Sequence, residues 1–160
     1  MRSIIFSLAL LLVTIFSNAQ TKLTKENIQK DSAIKTDIID PAVSSANGEV
    51  PDWKALTTEI TKKYDATYAD RTVTKAIIYF TYGKDWPAFT AAIVKYTVKY
   101  EDPENLKLMN KNANFILQYS NDKKELETAL GWSKHTVDKE AGNADYKKTY
   151  DVLQEKLNGK

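Results

Sequence analysis

From Pro51 onward, hydrophobic residues recur every three or four positions, the spacing that lines up one face of an α-helix. The clearest run is Trp86, Phe89, Ile93, Tyr96 and Tyr100. Asp85 stands ahead of it as a cap, and Pro87 falls in its first turn, where a missing N–H costs nothing. Between Asn105 and Val137 the pattern predicts two antiparallel helices around a turn at residues 120–122. The first carries Leu106, Met109, Ala113, Ile116 and Leu117, and the second Leu126, Ala129, Leu130, Trp132 and Val137. Trp53, Leu56, Ile60 and Tyr64 mark a helix opening at Pro51. Val73, Ala76, Ile77 and Phe80 mark another over residues 70–82, closed by Gly83. Ile77 to Phe80 alone also suits a short strand, but no strand partner stands elsewhere in the sequence. Asp102-Pro103-Glu104 repeats the order of cap, proline and acid, and is read as opening the helix that ends near Tyr119. Asn121 or Asp122 caps the next helix and Gly142 breaks it. Tyr146, Tyr150, Leu153 and Leu157 mark a last helix over residues 144–157. Six helices joined by short loops must lie antiparallel to their neighbours, so residues 51–160 are expected to form an all-α domain of irregular helical hairpins.

Residues 1–19 follow a different pattern. Arg2 is followed by an almost unbroken apolar run, Ile4 to Phe16, and then by the small residues Ser17-Asn18-Ala19. That order is read as a secretory signal peptide cleaved after Ala19. The apolar run is shorter than the ~20 residues of a membrane span, and no second one follows. The expectation is a soluble exported protein, periplasmic or secreted. Residues 20–50 are polar, with scattered isoleucines at 28, 34, 38 and 39, then Asp40-Pro41 and Ser44-Ser45-Ala46-Asn47-Gly48. A weak helix over residues 25–35 is one reading. Composition favours a flexible linker, with a partner-binding segment anchored by Ile34, Ile38 and Ile39 as the alternative.

Composition narrows the chemistry further. The formal net charge is +2, and loss of Arg2 leaves the mature chain nearly neutral, without the basic excess of a nucleic-acid binder. Arg71 is the sole mature arginine, which argues against phosphate ligands, since bidentate phosphate recognition favours arginine. There is no cysteine, so disulfides, thiolate metal sites and thiol redox chemistry are excluded. His135 is the only histidine. Ser133, two positions away on a helix, points elsewhere and forms no nucleophile–base pair; His135 is read as an exposed helix residue. The five glycines are isolated, so no phosphate-cradling loop is expected. The acids Glu101-Asp102-Pro103-Glu104 lack the alternation of a calcium loop. No carboxylate pair stands out for hydrolysis. The chain is therefore expected to be no enzyme and to need no metal or cofactor. Most aromatics fall on the apolar stripes and are expected in the core; Tyr68, Tyr79 and Tyr82 are the ones expected to stay exposed.

Asp85-Trp86-Pro87-Ala88-Phe89 with Val94-Lys95-Tyr96, Met109-Asn110-Lys111-Asn112-Ala113, Ala129-Leu130-Gly131-Trp132 and Tyr146-Lys147-Lys148-Thr149 form a spaced aromatic and small-residue pattern. In it, residues 51–160 resemble the helical, tetratricopeptide-like region C-terminal to the thioredoxin domain of exported bacterial thioredoxin-family proteins. The thioredoxin domain and its Cys-x-x-Cys motif are absent here, so the redox activity does not carry over. Ala113 and Ala129 match the small positions where two tetratricopeptide helices cross. Ser133 replaces a large aromatic, Thr136 a small alanine, and Ala141 the closing proline. The resemblance implies one tetratricopeptide-like repeat between Asn105 and Val137, an α-solenoid fragment rather than a regular array.

Solenoid surfaces of this kind bind peptides, and the first helix of a repeat lines the concave side. The polar face of that helix is Lys107, Asn110, Lys111, Asn114 and Gln118, which makes these the candidate partner-binding residues. Asparagine is a poor helix former, so Asn110, Asn112 and Asn114 in one helix call for a reason beyond solubility. The expected function is a protein–protein interaction module of the cell envelope. Two alternatives stay open: an accessory to a separate thioredoxin-like oxidoreductase, and a small-molecule carrier with its ligand between aromatic helices.

Overall fold

The structure, a computed structural model, describes residues 24–159; the signal-peptide expectation lies outside them. Among the described residues every regular element is helical and there is no strand. No helix among them is long and apolar enough to cross a membrane.

Helices α1 (Lys25–Ile34) and α2 (Asp40–Ser45) are joined without a break by a π-helical turn, Lys35–Ile39. Thr24 caps the start by accepting the Asn27 N–H at 3.2 Å. The left-handed backbone of Asn47 (φ 51°) and Gly48 (φ 91°) follows the end. This segment is therefore not the flexible linker that composition suggested. Ile34, Ile38 and Ile39 are only 0%, 5% and 4% exposed. They pack on Leu56, Ile60, Ala69 and Val73 of the next two helices. The π turn accounts for this packing. The Asp40 N–H reaches the Lys35 carbonyl five residues back, and that wider turn brings Ile38 and Ile39 together onto the face of Ile34. The isoleucines are anchors, as the alternative reading had it, but for the chain's own core.

Helix α3 (Trp53–Lys63) opens on Asp52, whose carboxylate accepts the Ala55 N–H at 2.9 Å. Pro51 lies ahead of that cap rather than in the first turn. Helix α4 (Ala66–Thr81) starts before the expected Asp70 because Asp65 caps it, accepting the N–H groups of Thr67 and Tyr68. Gly83 (φ 75°) takes the left-handed turn that follows. Helix α5 (Trp86–Tyr100) has Asp85 as cap and Pro87 in its first turn. Helix α6 (Leu106–Tyr119) is capped by Asn105, which accepts the Leu108 N–H at 3.3 Å. Asp102 serves the preceding turn instead, accepting the Glu104 N–H at 2.9 Å. Helices α7 (Lys123–Lys139) and α8 (Ala144–Leu157) open on Asp122 and Asn143.

The apolar faces build two clusters. The first joins the α1–α2 segment to α3 and α4. The second gathers Phe89, Ile93, Met109, Ala113, Ile116, Leu126, Ala129, Trp132 and Leu153 from α5 to α8. Ala113 and Ala129 are both fully buried, where small side chains let α6 and α7 approach closely. Ser133 and Thr136 are buried on the same helix, and the Thr136 hydroxyl donates to the Ser133 carbonyl at 2.8 Å. Lys156 of α8 crosses to the end of α6 and donates to the Leu117 and Ser120 carbonyls, both at 2.8 Å. A side chain distant in sequence thus supplies partners for carbonyls that a helix end leaves open.

Where α4 packs along α5, Ile78 joins the second cluster, and polar pairs form beside it. Arg71 is 2% exposed. Its guanidinium donates twice to Asp31 of α1, at 2.6 and 2.7 Å, and lies 4.8 Å from the centre of the Tyr68 ring. Asp70 accepts from Lys95, from Lys99 at 2.6 Å and from the Tyr100 hydroxyl at 2.6 Å. Burial opposes ionisation of Asp70, but these donors outweigh it and hold its carboxyl well below the usual range. Burial first, and then nearby acidic charge, push the Tyr96 and Tyr100 hydroxyls up to about 12.

Candidate functional site

Helices α4, α5 and α6 leave a groove of about 330 Å³ between them. Its floor is α5 and its walls are the other two helices. One end is aromatic. The Tyr82 and Phe89 ring centres lie 5.3 Å apart, and Phe89 stands edge-on to Phe115 at 5.5 Å. Edge-on and tilted contacts of this kind add to the area that the rings bury. Trp86 and Tyr119 stack behind them at 3.8 Å. The other end is polar. Asn112 of α6 donates to the Thr97 hydroxyl of α5 at 2.9 Å, and Lys75, Glu101 and Lys111 line the groove. Burial pushes the Glu101 carboxyl up, with Lys75 opposing. Tyr79 and Tyr82 stay 70% and 54% exposed at the rim. These two meet the expectation from sequence; Tyr68 does not. It is half-buried, and its hydroxyl donates to Asn27 at 2.7 Å.

The five residues proposed from sequence divide between two surfaces. Lys111 enters the groove, its ammonium 5.5 Å from the centre of the Phe115 ring. Lys107 and Gln118 are exposed on the same helix. Asn114 turns toward α8, and the Asn110 amide oxygen is buried without a hydrogen-bond partner. Asn114 donates to the Asn110 carbonyl at 3.0 Å and to the Thr149 hydroxyl of α8 at 2.9 Å, while Asn110 is half-buried. Asn112 and Asn114 therefore have a structural reason to be there. They tie α6 to the helices on either side of it, and helix propensity yields to those hydrogen bonds. Lys75 and Glu101 were not legible as site residues, because each lies on an element whose relation to α6 only the packing sets. The available signal was the pair of off-stripe tyrosines, 79 and 82.

His135 is partly buried rather than exposed, with Nε2 3.3 Å from Glu104, which also pairs with Lys139 at 3.0 Å. Among the described residues no three His, Cys, Asp or Glu side chains gather where they would hold a metal ion. The depression lined by Asp52, Thr58 and Lys62 lies along α3 alone and has no second wall. The chain matches no protein-family model, no curated protein and no solved structure.

Proposed function

We propose that this chain is an exported, non-enzymatic helical protein that docks a protein or peptide partner in the α4–α5–α6 groove and along the adjoining exposed face of α6. The observation that carries the reading is the rim of the groove. Tyr79 and Tyr82 expose large ring area beside an apolar floor, and aromatic side chains left at a rim of this kind are the type that dominates binding energy at interfaces. The export part rests on the charged, apolar and small-residue order of residues 1–19. The tetratricopeptide-like resemblance adds the precedent of a helical surface that holds a chain segment.

The test is capture from native envelope extract, followed by reconstitution with the purified partner. Tyr79→Ala and Lys111→Glu both change exposed positions, so each should alter folding stability by no more than about 0.5 kcal/mol. The expected result is a partner that binds the parent chain and is lost with either variant. A partner that binds both variants as well as the parent would remove the groove from consideration. Recovery of a thiol oxidoreductase would favour the accessory role, and a co-purified apolar compound the carrier role.

A further inference from the structure

Resting on the docking reading, we infer that the partner segment seated in the groove is acidic: it places one bulky apolar side chain at the aromatic end and carboxylates between Lys75 and Lys111. The two lysines stand on opposite walls. Lys75 lies seven residues before Tyr82 on α4, about 10 Å along the helix, and Lys111 four residues before Phe115 on α6, about 6 Å. Lys75 therefore lies toward the end where the Thr97–Asn112 bond joins α5 to α6, while the Lys111 ammonium, 5.5 Å from the centre of the Phe115 ring, stands beside the ring cluster of Tyr82, Phe89 and Phe115. Positive charge on both walls of the groove favours an anion between them. Glu101 offsets part of this field at the same end of the groove. Lys107 extends it, one turn from Lys111 and exposed on the same helix.

The occupant's length follows from the same geometry. A volume of about 330 Å³ is near the lower bound of small-molecule sites, enough for one large side chain. The positive strip continues past it to Lys107, and the rim is open at the exposed Tyr79. A ligand that used the whole surface would be longer than the groove, which favours a chain segment over a compact molecule.

The full mature chain should be titrated with fluorescent peptides, acetylated and amidated at their ends. One peptide carries a phenylalanine flanked by acids, a second has amides in place of the acids, and a third has alanine in place of the phenylalanine. The acidic aromatic peptide should saturate below about 1 mM. The amide peptide should bind up to about fivefold more weakly, the scale of an exposed charge pair, and the alanine peptide at least about tenfold more weakly, the scale of a lost buried ring. Added salt should weaken the two acid-bearing peptides and leave the amide peptide unchanged. Lys75→Gln and Lys111→Gln should each bring its affinity toward that of the amide peptide. Equal binding of acidic and amide peptides, or no saturation below about 1 mM, would overturn the inference. So would displacement by free phenylacetate at the peptide's own concentration, which would point to a small-anion site. A native partner lost on Tyr79→Ala yet retained by the Lys75→Gln, Lys111→Gln double variant would overturn the acidic preference while leaving the docking site in place.

Discussion

Arg71 has its charge enclosed by the fold. Its fork is matched by Asp31 and its plane lies over Tyr68. Removing one member of a buried pair strands the other, which costs about 3–5 kcal/mol. Asp31 keeps 23% of its side-chain surface in solvent, so Asp31→Asn should fall at the low end, about 3 kcal/mol, measured by urea unfolding. Replacing both residues with apolar ones of similar size should cost much less than either single change. An unaltered midpoint for Asp31→Asn would show that the pair contributes nothing. The guanidinium donors of Arg71, the one arginine among the described residues, are used internally.

At the scale of elements, the α1–α2 segment is held by few side chains, and each counts. Ile34 is fully buried beneath the first core cluster, so Ile34→Ala should cost about 2–5 kcal/mol. Ile28 is 56% exposed on the same helix, and Ile28→Ala should stay within about 0.5 kcal/mol. Hydrogen exchange makes the parallel measurement. Amides over residues 30–42 should be protected in the parent chain and lose protection selectively in Ile34→Ala. Fast exchange there in the parent would restore the flexible linker. Composition pointed to a linker because the buried side of this segment is only three isoleucines wide, and a π turn aligns them at a spacing that no search for regular helical periodicity favours.

Across the whole molecule, α4 and α5 are joined by a seam of charge, and that seam responds to pH. Asp70 sits on α4, while Lys95, Lys99 and Tyr100 sit on α5. Its carboxyl is depressed below the ordinary value in the folded chain. The stabilisation it gives is therefore present above the unfolded pKa, about 3.9, and is lost as pH falls toward the folded value. The parent chain should lose stability on acidification below about pH 4, followed by thermal melts across the acid range. Asp70→Asn should be less stable at neutral pH and show a shallower acid slope. Parallel pH profiles for the two proteins would exclude Asp70 as the source.

Local chemistry determined the all-α class and most helix ends. Asp85, Asp122 and the turn at Gly83 are short-range signals, settled by the orphan N–H groups and backbone conformation of a few neighbouring residues, whereas α7 ends at Lys139, before Gly142. The hairpin of α6 and α7 was legible for the same reason: its stripes are regular, and only antiparallel pairing buries both. The tertiary structure alone decided the rest. Asp31 and Arg71 are 40 residues apart, Lys156 lies 39 and 36 residues from the two carbonyls it reaches at the end of α6, and no local pattern marks such pairs. The groove belongs to this second kind. Lys75, Glu101 and Lys111 share it only because α4 and α6 pack on opposite sides of α5, and Asn114, read as part of a binding face, bonds instead to Thr149 of α8. A sequence states which surfaces must be buried; the choice of partner depends on how whole helices fit side by side.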